Sequence, residues 1–154
     1  MWHSSVSVSV VHKSLQSLSC IVNMHFVSSA FAVSFVYGSN FKKIRRNFWS
    51  ELGFLSSSPS LMDLPWTIMG DFNQILDPSE NSLADQFSSS RGMREFQSCT
   101  HLLGLLDLQF CGNSFTWSNN QGASVISKKL DRILVNDNWL QCFPASLGVF
   151  SDPG

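Results

Sequence analysis

No aspartate or glutamate occurs before Glu51, although Lys13, Lys42, Lys43, Arg45 and Arg46 all lie in that stretch, so the acidic half of any cofactor or catalytic set must come from later residues. The two ends of the chain therefore differ in sign while the whole carries a net charge of −1, which gives no global attraction to nucleic acid. Charged residues make up only 14% of the 154, and hydrophobic ones 44%; this balance excludes a disordered chain and fits one domain with a real core. The four cysteines, Cys20, Cys99, Cys111 and Cys142, show no CxxC spacing and have no histidine beside them in a zinc-ligand pattern, so they read as reduced thiols of an intracellular protein. The most apolar stretch, Cys20 to Gly38, is interrupted by Asn23, His25 and several serines, which excludes a membrane span. Residues 1 to 12 lack the basic start and continuous apolar block of a secretory signal. No internal repeat appears.

What is present alternates between extended and helical patterns. Ser5 to Val11 sets serine against valine with a period of two, which fits a half-buried strand; stretches at Ser17 to Phe26 and Ala30 to Tyr37 predict antiparallel neighbours. Asn40 is placed to cap a helix over Lys42 to Leu55, with Ile44, Phe48, Leu52 and Leu55 on its apolar face and its basic residues on the solvated one. A serine-rich break at Ser56 to Pro59 precedes a strand ending at Asp71, then a loop through Asp77, Pro78 and Glu80 to Ser90. A second helix is expected over Arg91 to Leu103, with Met93, Phe96 and His101 to Leu103 near its buried face, stopped by Gly104. Strands follow at Leu106 to Phe110, Ser114 to Ser118 and Leu130 to Val135. The succession predicts an α/β sandwich in which helices cover mixed sheets.

The most informative segment is Leu64-Pro65-Trp66-Thr67-Ile68-Met69-Gly70-Asp71-Phe72-Asn73, an apolar run that ends in a turn bearing a carboxylate and an amide. In continued extended geometry Asp71 and Asn73 point the same way across Phe72, an arrangement suited to a phosphate and a hard cation; the plainer reading is an Asx turn at a strand end. Around it stand Ser34-Phe35-Val36-Tyr37-Gly38-Ser39-Asn40, Asn113-Ser114-Phe115-Thr116-Trp117-Ser118-Asn119, Lys129-Leu130-Asp131-Arg132 and Ser151-Asp152. In this order the set resembles the endonuclease/exonuclease/phosphatase superfamily, and more narrowly the endonuclease domain encoded by plant non-LTR retrotransposons of the long interspersed type. The resemblance runs from about Gln16 to Asp152. It divides the chain into a divergent N-terminal segment, 1–15, and a partial domain, 16–154.

The resemblance implies part of a four-layer α/β sandwich with mixed, mainly antiparallel sheets, flanking helices and an incomplete N-terminal half. It also implies Mg²⁺- or Mn²⁺-dependent phosphodiester hydrolysis that nicks DNA. Asp71 then orients or deprotonates the attacking water, Asn73 holds the phosphate and that aspartate, Tyr37 contacts the scissile phosphate or its leaving group, and Asp131 braces a histidine. Asn40, Trp117 and Asn119 fall to the substrate side, and Asp152 to the metal. Plainer readings stand beside these: a half-buried aromatic at Tyr37, a helix cap at Asn40, a local surface ion pair at Asp131-Arg132, and core packing for Phe115-Thr116-Trp117. Lys42 to Arg46 reads as a solvated helix face that could lie along phosphates.

Two departures from the family pattern bear on activity. Proline follows Asp152 where the family has histidine, and loss of a general acid or base costs about 10² to 10⁴ in rate. The family also draws a metal-binding glutamate from its first half, where this chain has no acid. The expectation is a truncated, weak or inactive copy, binding its metal weakly, prone to self-association through uncovered sheet edges and an uncovered apolar face, and nuclear if it acts on DNA. An active phosphoesterase of the same superfamily acting on nucleotides or lipid headgroups is one alternative; a non-catalytic module binding nucleic acid or protein through its basic helix is the other.

Overall fold

The computed structural model describes residues 4–27, 29–84, 89–119 and 125–151. Three strands open the chain: β1 (Val6–Lys13), β2 (Ser17–Met24) and β3 (Phe31–Tyr37), with β2 antiparallel to both β1 and β3 and an irregularity between Val10 and His12. Helix α1 (Lys42–Ser56) carries the chain over to β4 (Trp66–Asp71), which pairs parallel to β3. A parallel pair needs such a crossover, because a tight turn can only reverse the strand. After a 3-10 turn at Pro78–Glu80 come α2 (Arg91–Leu102), β5 (Leu106–Asp107), β6 (Phe110–Gly112), β7 (Trp117–Ser118), β8 (Ser127–Lys128), β9 (Asp131–Val135), α3 (Asp137–Cys142) and β10 (Gly148–Phe150). The main sheet has the order β1-β2-β3-β4-β9-β5, and two small sheets pair β6 with β10 and β7 with β8. The mixed, mainly antiparallel sheet with flanking helices is the one the sequence predicts.

One face of that sheet is closed. Ala32 and Val36 of β3, Trp66 and Ile68 of β4 and Leu134 of β9 meet Phe48, Leu52 and Leu55 of α1 and Phe96 of α2, all buried. Trp49, Phe96 and Phe72 stack in series, with ring centroids 4.6 and 5.3 Å apart, within the range where aromatic pairs attract beyond their area. Beside them Arg132, fully buried, reaches Glu80 and Asp107, and Lys129 shares Asp107 at 2.9 Å. Arg132 is therefore a partner of Glu80 and Asp107 rather than of its neighbour Asp131, and its position is interior, not a surface pair.

Three further expectations are corrected. The buried row of α1 is Arg45, Phe48, Leu52 and Leu55, with Ile44 exposed, because the 3.6-residue period that includes Phe48 and Leu52 passes through position 45. Asn40 does not cap α1: the N-cap is Phe41, and no side chain closes that end. On α2, His101 and Leu102 are exposed, and the buried row is Met93, Phe96, Cys99 and Thr100. All four cysteines are free, and burial pushes the Cys99 thiol up to about 11. Among the described residues no helix is long and apolar enough to cross a membrane.

Candidate active site at the ends of β3, β4 and β9

Strand register brings the sequence motifs together. Tyr37 is paired with Asp71 across β3 and β4, and Asp71 with Asp131 across β4 and β9, so three segments far apart in sequence end in one row. Because side chains alternate along a strand, this row shares its sheet face with Phe35, Met69 and Ile133, the face opposite the helices.

Backbone geometry at this edge depends on glycine. Gly70 has φ +137°, and a β-carbon there would stand 2.1 Å from the Val36 carbonyl oxygen, so β3 and β4 approach in a way no other residue allows. Gly38 donates its N–H to the Asp71 carbonyl at 2.6 Å, and a β-carbon on it would meet the Phe72 carbonyl oxygen at the same separation. The two motif turns are thus held backbone to backbone.

Asp71 and Asn73 meet through an Asx turn rather than through continued extended geometry. The Asn73 N–H donates to Asp71 Oδ1 at 2.7 Å, Asn73 adopts φ +49°, and its side-chain amide donates to the Gly38 carbonyl at 2.7 Å. Phe72 between them is fully buried and anchors the turn in the core, while Asn is among the residues that tolerate the left-handed region. The amide at Asn73 therefore spans from the aspartate's turn to the tyrosine's loop.

Electrostatics single out Asp71. Burial raises its pKa; the Asn73 N–H opposes that shift, the Asp131 charge adds to it, and the Arg45 guanidinium works against it. Tyr37 stands 68% exposed at the edge. Asp131 is fixed from behind, since Thr116 Oγ1 accepts from both the Leu130 and Asp131 N–H groups at 3.0 and 2.9 Å. Trp117, next to that threonine, is half-exposed with Lys128 Nζ 5.7 Å over its ring. Asn119 accepts from the Ile126 N–H through Oδ1 at 2.9 Å. Asn40 lies exposed on the wall of a neighbouring cavity that also includes Asn73. Asp152 lies outside the described residues.

Two contributors carry no motif. Gln16 accepts from the Tyr37 N–H through its carbonyl at 2.9 Å and from the Ser39 N–H through Oε1 at 2.8 Å, so the β1–β2 turn sets the Tyr37 loop. Arg45 donates to the Ser39 carbonyl at 2.7 Å and to Gln74 Oε1 at 2.8 Å. Its place in the row 45, 48, 52, 55 is the signal that could have found it; nothing local marks Gln16.

Among the described residues no cluster of three or more His, Cys, Asp or Glu side chains is placed to hold a metal ion. A single Mg²⁺ takes one or two protein carboxylates and completes its shell with water. Asp71 and Asp131 are paired in register across β4 and β9, and the Asp131 charge adds to the larger effect of burial in raising the Asp71 pKa.

The pattern of the endonuclease/exonuclease/phosphatase family matches residues 7–152. Among solved structures, the endonuclease domain of TRAS1, a telomere-specific non-LTR retrotransposon, superposes with a TM-score of 0.70 at 12% identity, over 91% of this chain and 60% of that one. A family protein from Bacteroides thetaiotaomicron gives 0.50 at 17% identity, over 79% of this chain and 41% of that one. The TDP2 of D. rerio, solved with a single-strand DNA product, gives 0.46 at 14% identity, over 86% and 54%. No curated protein matches the sequence. The chain belongs to the endonuclease/exonuclease/phosphatase family. It spans about three fifths of the length of the retrotransposon endonuclease domain whose fold it shares.

Proposed function

We propose that this is an endonuclease-like domain of the retrotransposon type, which hydrolyses DNA phosphodiesters with a divalent cation, Mg²⁺ or Mn²⁺, at a reduced rate. The observation that carries the reading is the row Tyr37, Asp71, Asp131, closed by the Asn73 bridge to Gly38. A bound cation would supply polarisation of the phosphate, with Asp71 and, by resemblance, Asp152 as its holders. Asp71 accepts a proton from the attacking water, and its raised pKa makes it a better base than an exposed carboxylate. The Asn73 N–H keeps Oδ1 of that carboxylate in place. Tyr37, exposed beside it, donates its hydroxyl to the phosphate or the leaving oxygen.

Reduced turnover follows from a sequence departure. Pro153 has no proton to give where the family pattern has histidine. The test is nicking of supercoiled plasmid with and without Mg²⁺, using Asp71→Ala and Pro153→His. Slow nicking that needs Mg²⁺, vanishes in Asp71→Ala and rises by about 10² or more in Pro153→His supports both parts. Nicking indifferent to Asp71 would sink the site. Fast nicking unchanged by Pro153→His would sink the impairment and leave the site standing.

A further inference from the structure

Beside the catalytic row lies a cavity of about 290 Å³ whose described lining includes Lys42, Arg45, Lys128, Asn73, Asn81 and Ser90, with no acidic residue among the described ones. Three observations there are unexplained by folding. First, Arg45 is 5% exposed yet hydrogen-bonds only to neutral acceptors, the Ser39 carbonyl and Gln74 Oε1, whereas buried charges are ordinarily paired. Second, Asn81 is 1% exposed; its Oδ1 accepts from the Leu83 N–H, while its Nδ2 has no hydrogen-bond partner. Leaving a buried amide donor without a partner is costly, because its desolvation is not compensated.

Third, α1 begins at this cavity with no capping side chain, no acid in its first turn and Lys42 at its first position. A helix N-terminus already carries partial positive charge, so a lysine there adds to the potential instead of offsetting it. Lys42 has no ion pair among the described residues, and Lys128 has only the Trp117 ring. Cations, an open helix end and a spare amide donor converge on a lining with no carboxylate among the described residues, the charges that offset Arg45, Glu95 and Asp71, standing outside it.

We infer that this cavity is a phosphate subsite, which holds a nucleic-acid backbone phosphate neighbouring the one presented to Asp71. The inference rests on the nuclease reading for its occupant. Lys42 and Lys128 neutralise the phosphate from the rim, with Trp117 holding Lys128 in place, while Asn81 Nδ2 and the α1 N–H groups donate from the wall. Asn73 lines this cavity and is tied to Asp71 and Gly38 at the catalytic edge, so a strand lying in one is delivered to the other.

The test has two arms. Binding of a fluorescent duplex oligonucleotide is measured by anisotropy across salt concentrations for wild type, Lys42→Gln/Lys128→Gln, and a control of equal charge, Lys13→Gln/Lys43→Gln, whose residues are exposed and outside the cavity lining. Inorganic phosphate is titrated while NMR follows the Asn81 side-chain amide. The expected result is a tenfold or greater loss of affinity and a salt slope smaller by about 2 for the cavity pair, less than threefold loss for the control, and a phosphate-dependent shift at Asn81. Equal losses for both pairs overturn the subsite and leave the nuclease reading intact. A shift at Asn81 with unchanged DNA affinity in the cavity pair overturns the nucleic-acid occupant in favour of free phosphate. No DNA binding by any variant removes the nuclease reading itself, and this occupant with it.

Discussion

The two faces of the main sheet are built from the same strands and serve different ends. On the helix side the rows Ser34–Ile68–Leu134 and Val36–Gly70–Arg132 are closed under α1 and α2. On the other side Val33, Thr67 and Val135 are buried, but Phe35 is 51% exposed, and the final row of Tyr37, Asp71 and Asp131 is open to solvent or half so. Hydrophobic gain scales with area removed from water, so stability is concentrated on the first face while the second leaves its polar groups accessible. Cohesion and chemistry are separated by one residue step along each strand.

That separation can be broken by mutation, and the largest effect belongs to the closed face. Phe96→Ala, which deletes the middle ring of the aromatic stack, is expected to cost about 3–5 kcal/mol in urea denaturation, whereas Phe35→Ala on the open face is expected to cost less than about 1. Comparable losses at the two positions would mean that the open face is covered in solution. Gly70→Ala comes next, at about 1–3 kcal/mol or more, because the new β-carbon meets the Val36 backbone; its nicking activity should fall further than its stability.

Asp71→Asn probes the opposite sign. A carboxyl whose pKa is raised on folding stabilises the protein most when protonated, and that contribution is lost as pH rises through the folded pKa. The amide variant should therefore melt higher than wild type at neutral pH, with the gap closing below the ordinary carboxylate range, while nicking disappears. A wild type more stable than Asp71→Asn at pH 7 would contradict the burial argument. Phe35→Ser should change stability least and lower any self-association seen by sedimentation, since it removes an exposed ring from the open face. Unaltered association would point to the free edge of β1 instead.

Strand β1 was legible from its period of two, β4 from an apolar run ending in a turn, and α1 and α2 from the helical spacing of their apolar residues. Helix α3 was not: six residues give too little periodicity, and its one signal is Asn136, whose side chain accepts from the Trp139 N–H. Strands of two or three residues, β5 to β8 and β10, are set by their partners rather than by their own pattern. In the site, the motifs pointed to Tyr37, Asp71 and Asp131, which register then aligned, but the Asx geometry at Asn73 follows from burying Phe72. Arg45 and Asn81 escaped because a polar residue on an apolar period, or in a loop, carries no mark of where it is buried.

The Gln16 brace has a consequence for how copies of this chain can drift. Its neighbour Leu15 is 97% exposed, whereas Gln16 receives the Tyr37 N–H on its backbone carbonyl and, through its side chain, accepts from the Ser39 N–H and donates to the Ile44 carbonyl at 3.1 Å. Change at Leu15 leaves these bonds in place, but Ser14, whose hydroxyl accepts from the Gln16 and Ser17 N–H groups, belongs to the same brace. Replacing Gln16 keeps the backbone bond to Tyr37 but removes both side-chain bonds, so a lineage that loses this glutamine loosens the tie between the tyrosine's loop and the start of the helix before any motif residue has changed.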